Sequence, residues 1–219
     1  MNNTKGKISY ILMHIAFWCG YAVTWSYTAV YLEDCGYNNA VTGLVTGIGA
    51  VISVIMQPVL ASMIQKFEKL NTRTNIIILK LLSIAVSIVI MMRPGGHYTV
   101  ALLFMILAAI DASVPSMLST LAMESVNAGR YINYGLARGS GSIAYALFSL
   151  FLGYAVLWFE PSSLMLFYMV LSVVTLGISF LFPDVKKDLP EDKDSAKQEK
   201  KTDSTGIFSK YPFLLSNVF

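Results

Sequence analysis

An arginine at the mouth of an apolar, glycine-rich segment has the most chemistry to offer in this sequence. The run Asn133-Tyr134-Gly135-Leu136-Ala137-Arg138-Gly139-Ser140-Gly141-Ser142 contains no second lysine or arginine. A guanidinium presents a planar fork of donors that can grip a carboxylate and vicinal hydroxyls together. Gly135, Gly139 and Gly141 remove side chains from around it, which permits close helix approach and exposes backbone to a ligand. The plain alternative is an anchor: residues 139–158 already suffice to span a bilayer, so Arg138 can lie just outside as a boundary cation. Depth alone favours the anchor.

Asp111 is harder to place at a boundary. Apolar sequence flanks it on both sides, and neither flank is long enough to span alone, so Asp111 falls near mid-depth. Its short side chain cannot reach the headgroups, so it faces a cavity, is protonated or pairs with a cation. Pro115, four residues on, cannot donate to the Asp111 carbonyl, which leaves an acceptor free and predicts a bend. Lys80 sits a few residues inside its span, and snorkelling to the headgroups is the first expectation, with pairing to Asp111 second. His14 is similarly shallow, and a hydrogen-bonded structural histidine is the expectation ahead of a proton relay. Glu124, at a helix end, can be solvated or can serve Arg138. Asp111, Glu124, Lys80 and His14 are thus the proton or charge-pair candidates, and Asp111 and Glu124 the candidate counter-charges to Arg138.

The elements that position these residues are membrane spans. Of 219 residues 55% are hydrophobic and 13% charged, and the mean hydropathy is +0.60, far more apolar than a water-soluble domain. Windows of about 20 apolar residues fall at 9–32, 41–64, 75–92, 98–123, 139–158 and 164–182. Lys5, Lys7, Lys66, Lys69, Arg73, Arg130, Lys186 and Lys187 share one set of loops, whereas the opposite set holds Arg93 with Glu33, Asp34 and Glu160. That asymmetry predicts a cytoplasmic N-terminus in the cell membrane. Residues 1–183 are expected to form a six-helix bundle. Residues 184–208, dense in lysine and acid, are expected to be a solvated cytoplasmic linker, and 209–219 turn apolar again, as at the start of a truncated seventh helix. The chain is therefore expected to be a fragment.

Gly43, Gly47 and Gly49 in the second span repeat the spacing of Gly135, Gly139 and Gly141 near the fifth, each set opening the middle helix of a triplet. Inverted three-helix repeats give such a pattern. So does ordinary helix packing through small residues. Neither a nucleophile set, a metal-ligand cluster nor a phosphate loop can be read from these residues, so an enzyme, a metal and a cofactor are not expected. The basic residues are scattered rather than gathered into a patch, which argues against nucleic acid. Cys19 and Cys35 are expected to be free thiols.

Several short motifs resemble those of the major facilitator superfamily, in the group around lactose permease, the oligosaccharide:proton symporters. Tyr31-Leu32-Glu33-Asp34 resembles the close of that family's first helix. Thr42-Gly43 and Gln57-Pro58 resemble the residues bracketing its second, and Tyr134-Gly135-x-Ala137-Arg138-x-x-Gly141 the opening of its fifth. The resemblance covers residues 9–182. It implies an all-α membrane protein, the six-helix N-terminal half of a two-half transporter. Such a transporter works by alternating access in a lipid bilayer, with a small-molecule solute and a proton as its other partners and a C-terminal half to complete it.

Carried over by residue, Arg138 matches the arginine that binds sugar hydroxyls, and Tyr145 stands where a tryptophan stacks on the sugar ring. The family's fourth-helix acid is Thr120 here. The loop motif after the second helix, at residues 61–68, keeps only a cation. A sugar or oligosaccharide is the solute implied. A nucleoside or other organic solute, or a non-transporting sensor or scaffold, stays open.

Overall fold

The computed structural model describes residues 3–66, 71–93 and 98–184. The expected linker beyond Asp184, the expected seventh-helix start at 209–219 and positions 67 and 68 of the loop motif lie outside the described residues. Within them the structure is all-helical. The helices are α1 (Asn3–Ser26), α2 (Thr28–Asp34), α3 (Asn39–Lys66), α4 (Thr72–Met91), α5 (Thr99–Asn127), α6 (Tyr134–Trp158) and α7 (Ser163–Leu181). Six of them, all but α2, are long and apolar enough to cross a membrane.

The first span, expected to be continuous over 9–32, is broken at Tyr27, where the backbone leaves helical geometry between α1 and α2. Just past the break the Thr28 hydroxyl bonds backwards along α1, to the Thr24 carbonyl. Such bonds compete with the regular helical ladder.

Helix ends are set by local chemistry. At the close of α2, Gly36 takes a φ of +87°, its N–H bonds the Glu33 carbonyl at 2.9 Å, and the Tyr37 N–H reaches Leu32 at 3.1 Å. At the close of α5, Gly129 takes a φ of +71°, with Gly129 bonded to Val126 and Arg130 to Ser125, both at 2.9 Å. Both are paired-bond glycine terminations that satisfy the last carbonyls. An asparagine side chain then starts the next helix in each case. Asn38 accepts from the Val41 N–H and Asn133 from the Leu136 N–H, both at 2.9 Å, as N-terminal capping requires.

The principal helix neighbours are α1 with α6 and α7, α3 with α5, and α4 with α5 and α7. They give an order α3, α5, α4, α7, α1, α6. Exchanging the first three spans for the last three maps α1–α6 onto α3–α5 and α1–α7 onto α4–α5, and leaves α4–α7 unchanged. Two apolar clusters stack along the bundle. One joins Tyr10, Met13, Phe17, Ile76, Leu118 and Phe182; the other joins Val23, Tyr31, Ile90, Phe104, Leu152 and Tyr168. At the amino-terminal side, Arg73 donates from Nε to the Ser179 carbonyl at 2.8 Å, and Arg130 from Nη2 to that of Asp184 at 3.0 Å. Both cations complement the exposed carbonyls at the α7 terminus.

Candidate functional site

Between the two apolar clusters lies a buried polar cluster contributed by four spans. Lys80 Nζ on α4 is 2.8 Å from Asp111 Oδ1 on α5, with the two side chains 3% and 0% exposed. Tyr168 on α7 donates to the same oxygen at 2.9 Å, and Thr24 on α1 donates to Oδ2 at 3.1 Å. The ammonium also lies 4.9 Å from the Phe17 ring centroid and 5.6 Å from that of Tyr168. A charge pair in such surroundings persists only when hydrogen bonds occupy its remaining sites, and the Thr24 and Tyr168 hydroxyls do this for the carboxylate.

Lys80 does not snorkel. α4 begins at Thr72 rather than near Asn75, so Lys80 is more than two turns, about 12 Å, from the helix start, and its stem turns inward. Nor does Asp111 answer Arg138, because its oxygens are engaged by Lys80, Tyr168 and Thr24. Glu124 does not answer it either: it accepts a bond from Thr72 at the start of α4.

Arg138 belongs to a different face, between α1 and α6. Its Cζ lies 3.9 Å from the ring centroid of Trp18, a cation–π stack that fixes the guanidinium plane. Nη1 donates to Ser142 Oγ one turn along α6 at 2.7 Å. From Trp18 an aromatic row runs along α1. Trp18 and Tyr21 centroids are 5.1 Å apart and edge-on, and Tyr21 and Trp25 are 5.4 Å apart and stacked. Tyr145 on α6 faces Trp18 edge-on at 6.3 Å and shares a hydrogen bond with Ser26. Tyr27 secures the two helices by donating to the Ser149 carbonyl at 2.7 Å.

Sequence reading placed Arg138 and Tyr145 here and missed Trp18, Tyr21 and Trp25, and it missed Thr24 and Tyr168 in the buried cluster. A signal for the aromatics was present. Trp and Tyr usually collect at membrane interfaces, and a stripe at spacings of three and four residues through mid-span belongs to one helix face.

His14 lies one turn before Trp18, 1% exposed. It packs edge-on against Tyr10 at 4.9 Å and Tyr134 at 6.0 Å. Neither ring nitrogen has a hydrogen-bond partner, so the expected hydrogen-bonded histidine is absent.

The glycines divide. A Cβ on Gly141 would collide with the Trp18 indole, and one on Gly49 would touch Ala108 Cβ at 3.8 Å on α5. At Gly43, Gly47 and Gly139 it would meet nothing within 4 Å, and at Gly135 only the Asn133 side chain at 3.6 Å. Those four therefore do not serve packing between described helices. Among the described residues no group of three or more His, Cys, Asp or Glu side chains could hold a metal ion.

No curated protein and no solved structure matches the chain. Residues 7–215 match the MFS_1 like family. With six apolar helices of spanning length and that match over nearly the whole sequence, the chain belongs to the MFS_1 like family of the major facilitator superfamily, as a multi-pass membrane transporter.

Proposed function

We propose that this protein is a proton-coupled symporter for a small polar solute, a sugar or oligosaccharide, working by alternating access. The observation that carries this reading is Arg138 stacked on Trp18 at the head of the Trp18–Tyr21–Trp25 row, with Tyr145 opposite. Sugar ring faces are lined with C–H groups that stack on aromatic side chains, while hydroxyls around the ring suit a planar donor fork. Arg138 is then the polar contact and Tyr145 part of the stacking surface. Asp111, Lys80 and Glu124 hold spans together and do not touch solute.

In this reading residues 1–183 are an inverted pair of three-helix units, 184–208 a cytoplasmic linker and 209–219 the start of the next helix. The invariance of the helix contacts under exchange of triplets, together with the matching glycine terminations at Gly36 and Gly129, supports the repeat. The distribution of Lys and Arg between loops supports a cytoplasmic N-terminus in the cell membrane. A second six-helix half completes the solute path, and rocking of the two halves exposes the α1–α6 face to each side in turn.

Cells expressing the full-length protein should alkalinise an unbuffered medium when offered a transported member of a sugar and nucleoside panel. Arg138→Lys should nearly abolish both uptake and alkalinisation, because a point charge cannot replace the bidentate fork. Uptake at the wild-type rate by that variant refutes the assignment.

A further inference from the structure

We infer that the solute recognised at the α1–α6 face carries a carboxylate, so that the site selects a sugar acid over the corresponding neutral sugar. The inference rests on the transporter reading above and narrows its substrate class. It comes from the unbalanced charge and the free donors of the guanidinium on that face.

Arg138 has no ion-pair partner among the described residues, unlike Lys80, which pairs with Asp111, and Arg93, which pairs with Asp34. Of its five N–H groups, the bond formed is from Nη1 to Ser142. The Trp18 indole N–H also has no acceptor. Ser142 Oγ receives Arg138 and donates its own proton to the Arg138 carbonyl at 3.3 Å, and the Tyr145 and Ser26 hydroxyls bond each other, so the groups beside the guanidinium are neutral hydroxyls that leave its charge unbalanced. Glu124, on α5, accepts from Thr72 instead.

Among the described residues the face is therefore cationic, with no carboxylate paired to the guanidinium. The hydroxyls of a neutral sugar can accept from the guanidinium but bring no charge to balance it. A carboxylate brings two oxygens and no proton. It complements a guanidinium in a bidentate pair and neutralises a charge that a membrane-embedded face would otherwise leave uncompensated. The aromatic row beside Arg138 adds the requirement for a ring or chain with C–H faces. A carboxylate on a sugar scaffold meets both conditions. Entry of such an anion with one proton is electrically neutral.

The test uses matched pairs on purified full-length protein in nanodiscs: D-galacturonate against D-galactose, and lactobionate against lactose. Binding is read from quenching of intrinsic tryptophan fluorescence. The acid of at least one pair should bind about tenfold or more tightly than its neutral partner, as a charge-assisted fork confers over neutral hydrogen bonds. Arg138→Gln should erase that preference, whereas Arg138→Lys should keep part of it with weaker binding. Neutral members binding as tightly as the acids overturns the inference and leaves the sugar reading standing. Binding of none of the four overturns both. An acid preference that survives in Arg138→Gln overturns the assignment to Arg138.

Discussion

Replacing Lys80 by methionine tests whether the buried cluster is a keystone of the bundle. Methionine approximates the stem of lysine and removes the charge. Asp111, 0% exposed, would keep the hydroxyls of Tyr168 at 2.9 Å and Thr24 at 3.1 Å but lose the cation at 2.8 Å. Breaking a buried pair by removing one partner costs about 3–5 kcal/mol. Asp111→Asn is the mirror experiment. It leaves an ammonium whose two aromatic contacts are already present in the wild type, so cation–π attraction does not offset the loss of the carboxylate.

For a unit of this size each kcal/mol corresponds to roughly 2–4 °C in Tm, so each single variant should lose roughly 6–20 °C. The double variant Lys80→Met/Asp111→Leu removes both charges and should recover most of the loss, since an apolar replacement of a buried pair is often neutral or stabilising. In a Cys35→Ser background unfolding can be followed with a thiol-reactive dye, because Cys19 is buried and reacts only when the bundle opens. Single variants melting with the wild type, or a double variant losing the sum of the two single losses, would refute the argument.

Gly139 and Gly141, two residues apart on α6, offer a matched pair with opposite surroundings. Gly141→Ala drives a methyl into the Trp18 indole and should cost about 1–3 kcal/mol as overpacking, with a visible change in tryptophan emission. Gly139→Ala meets open space and should leave stability unchanged or raise it by up to ~1 kcal/mol, read as Tm. Cys35, free and half-buried beyond the end of α2, has its thiol pushed up by burial, with Arg93 opposing and Asp34 reinforcing. Its thiolate fraction at neutral pH is therefore lower than that of a free thiol, and maleimide labelling should start slow and accelerate as pH rises. Labelling as fast as a small free thiol at neutral pH would contradict the burial.

Much of this architecture is written locally. Spans emerge from composition because a bilayer core sets the length of apolar sequence needed. The helix ends at Gly36 and Gly129 and the caps at Asn38 and Asn133 are also short-range chemistry. Placing Lys80 failed through an error of a few residues in a helix start. Thr72 and its neighbours are polar enough to escape a hydropathy window, yet they are helical, and those added residues turned a shallow lysine into a deep one.

The sequence by itself determined the membrane class, the six spans, the asymmetry of loop charge and the presence of an isolated arginine beside glycines. Tertiary structure alone decided who meets whom: Asp111 with Lys80, Glu124 with Thr72, and Arg138 with Trp18. The physical reason lies in the solvent. In water a helix declares its buried face by apolar periodicity, but lipid tails are as apolar as a protein core, so a spanning helix can be hydrophobic all round. Rotation of each helix is then set by polar partners on other spans, and those pairings exist only once the bundle has closed.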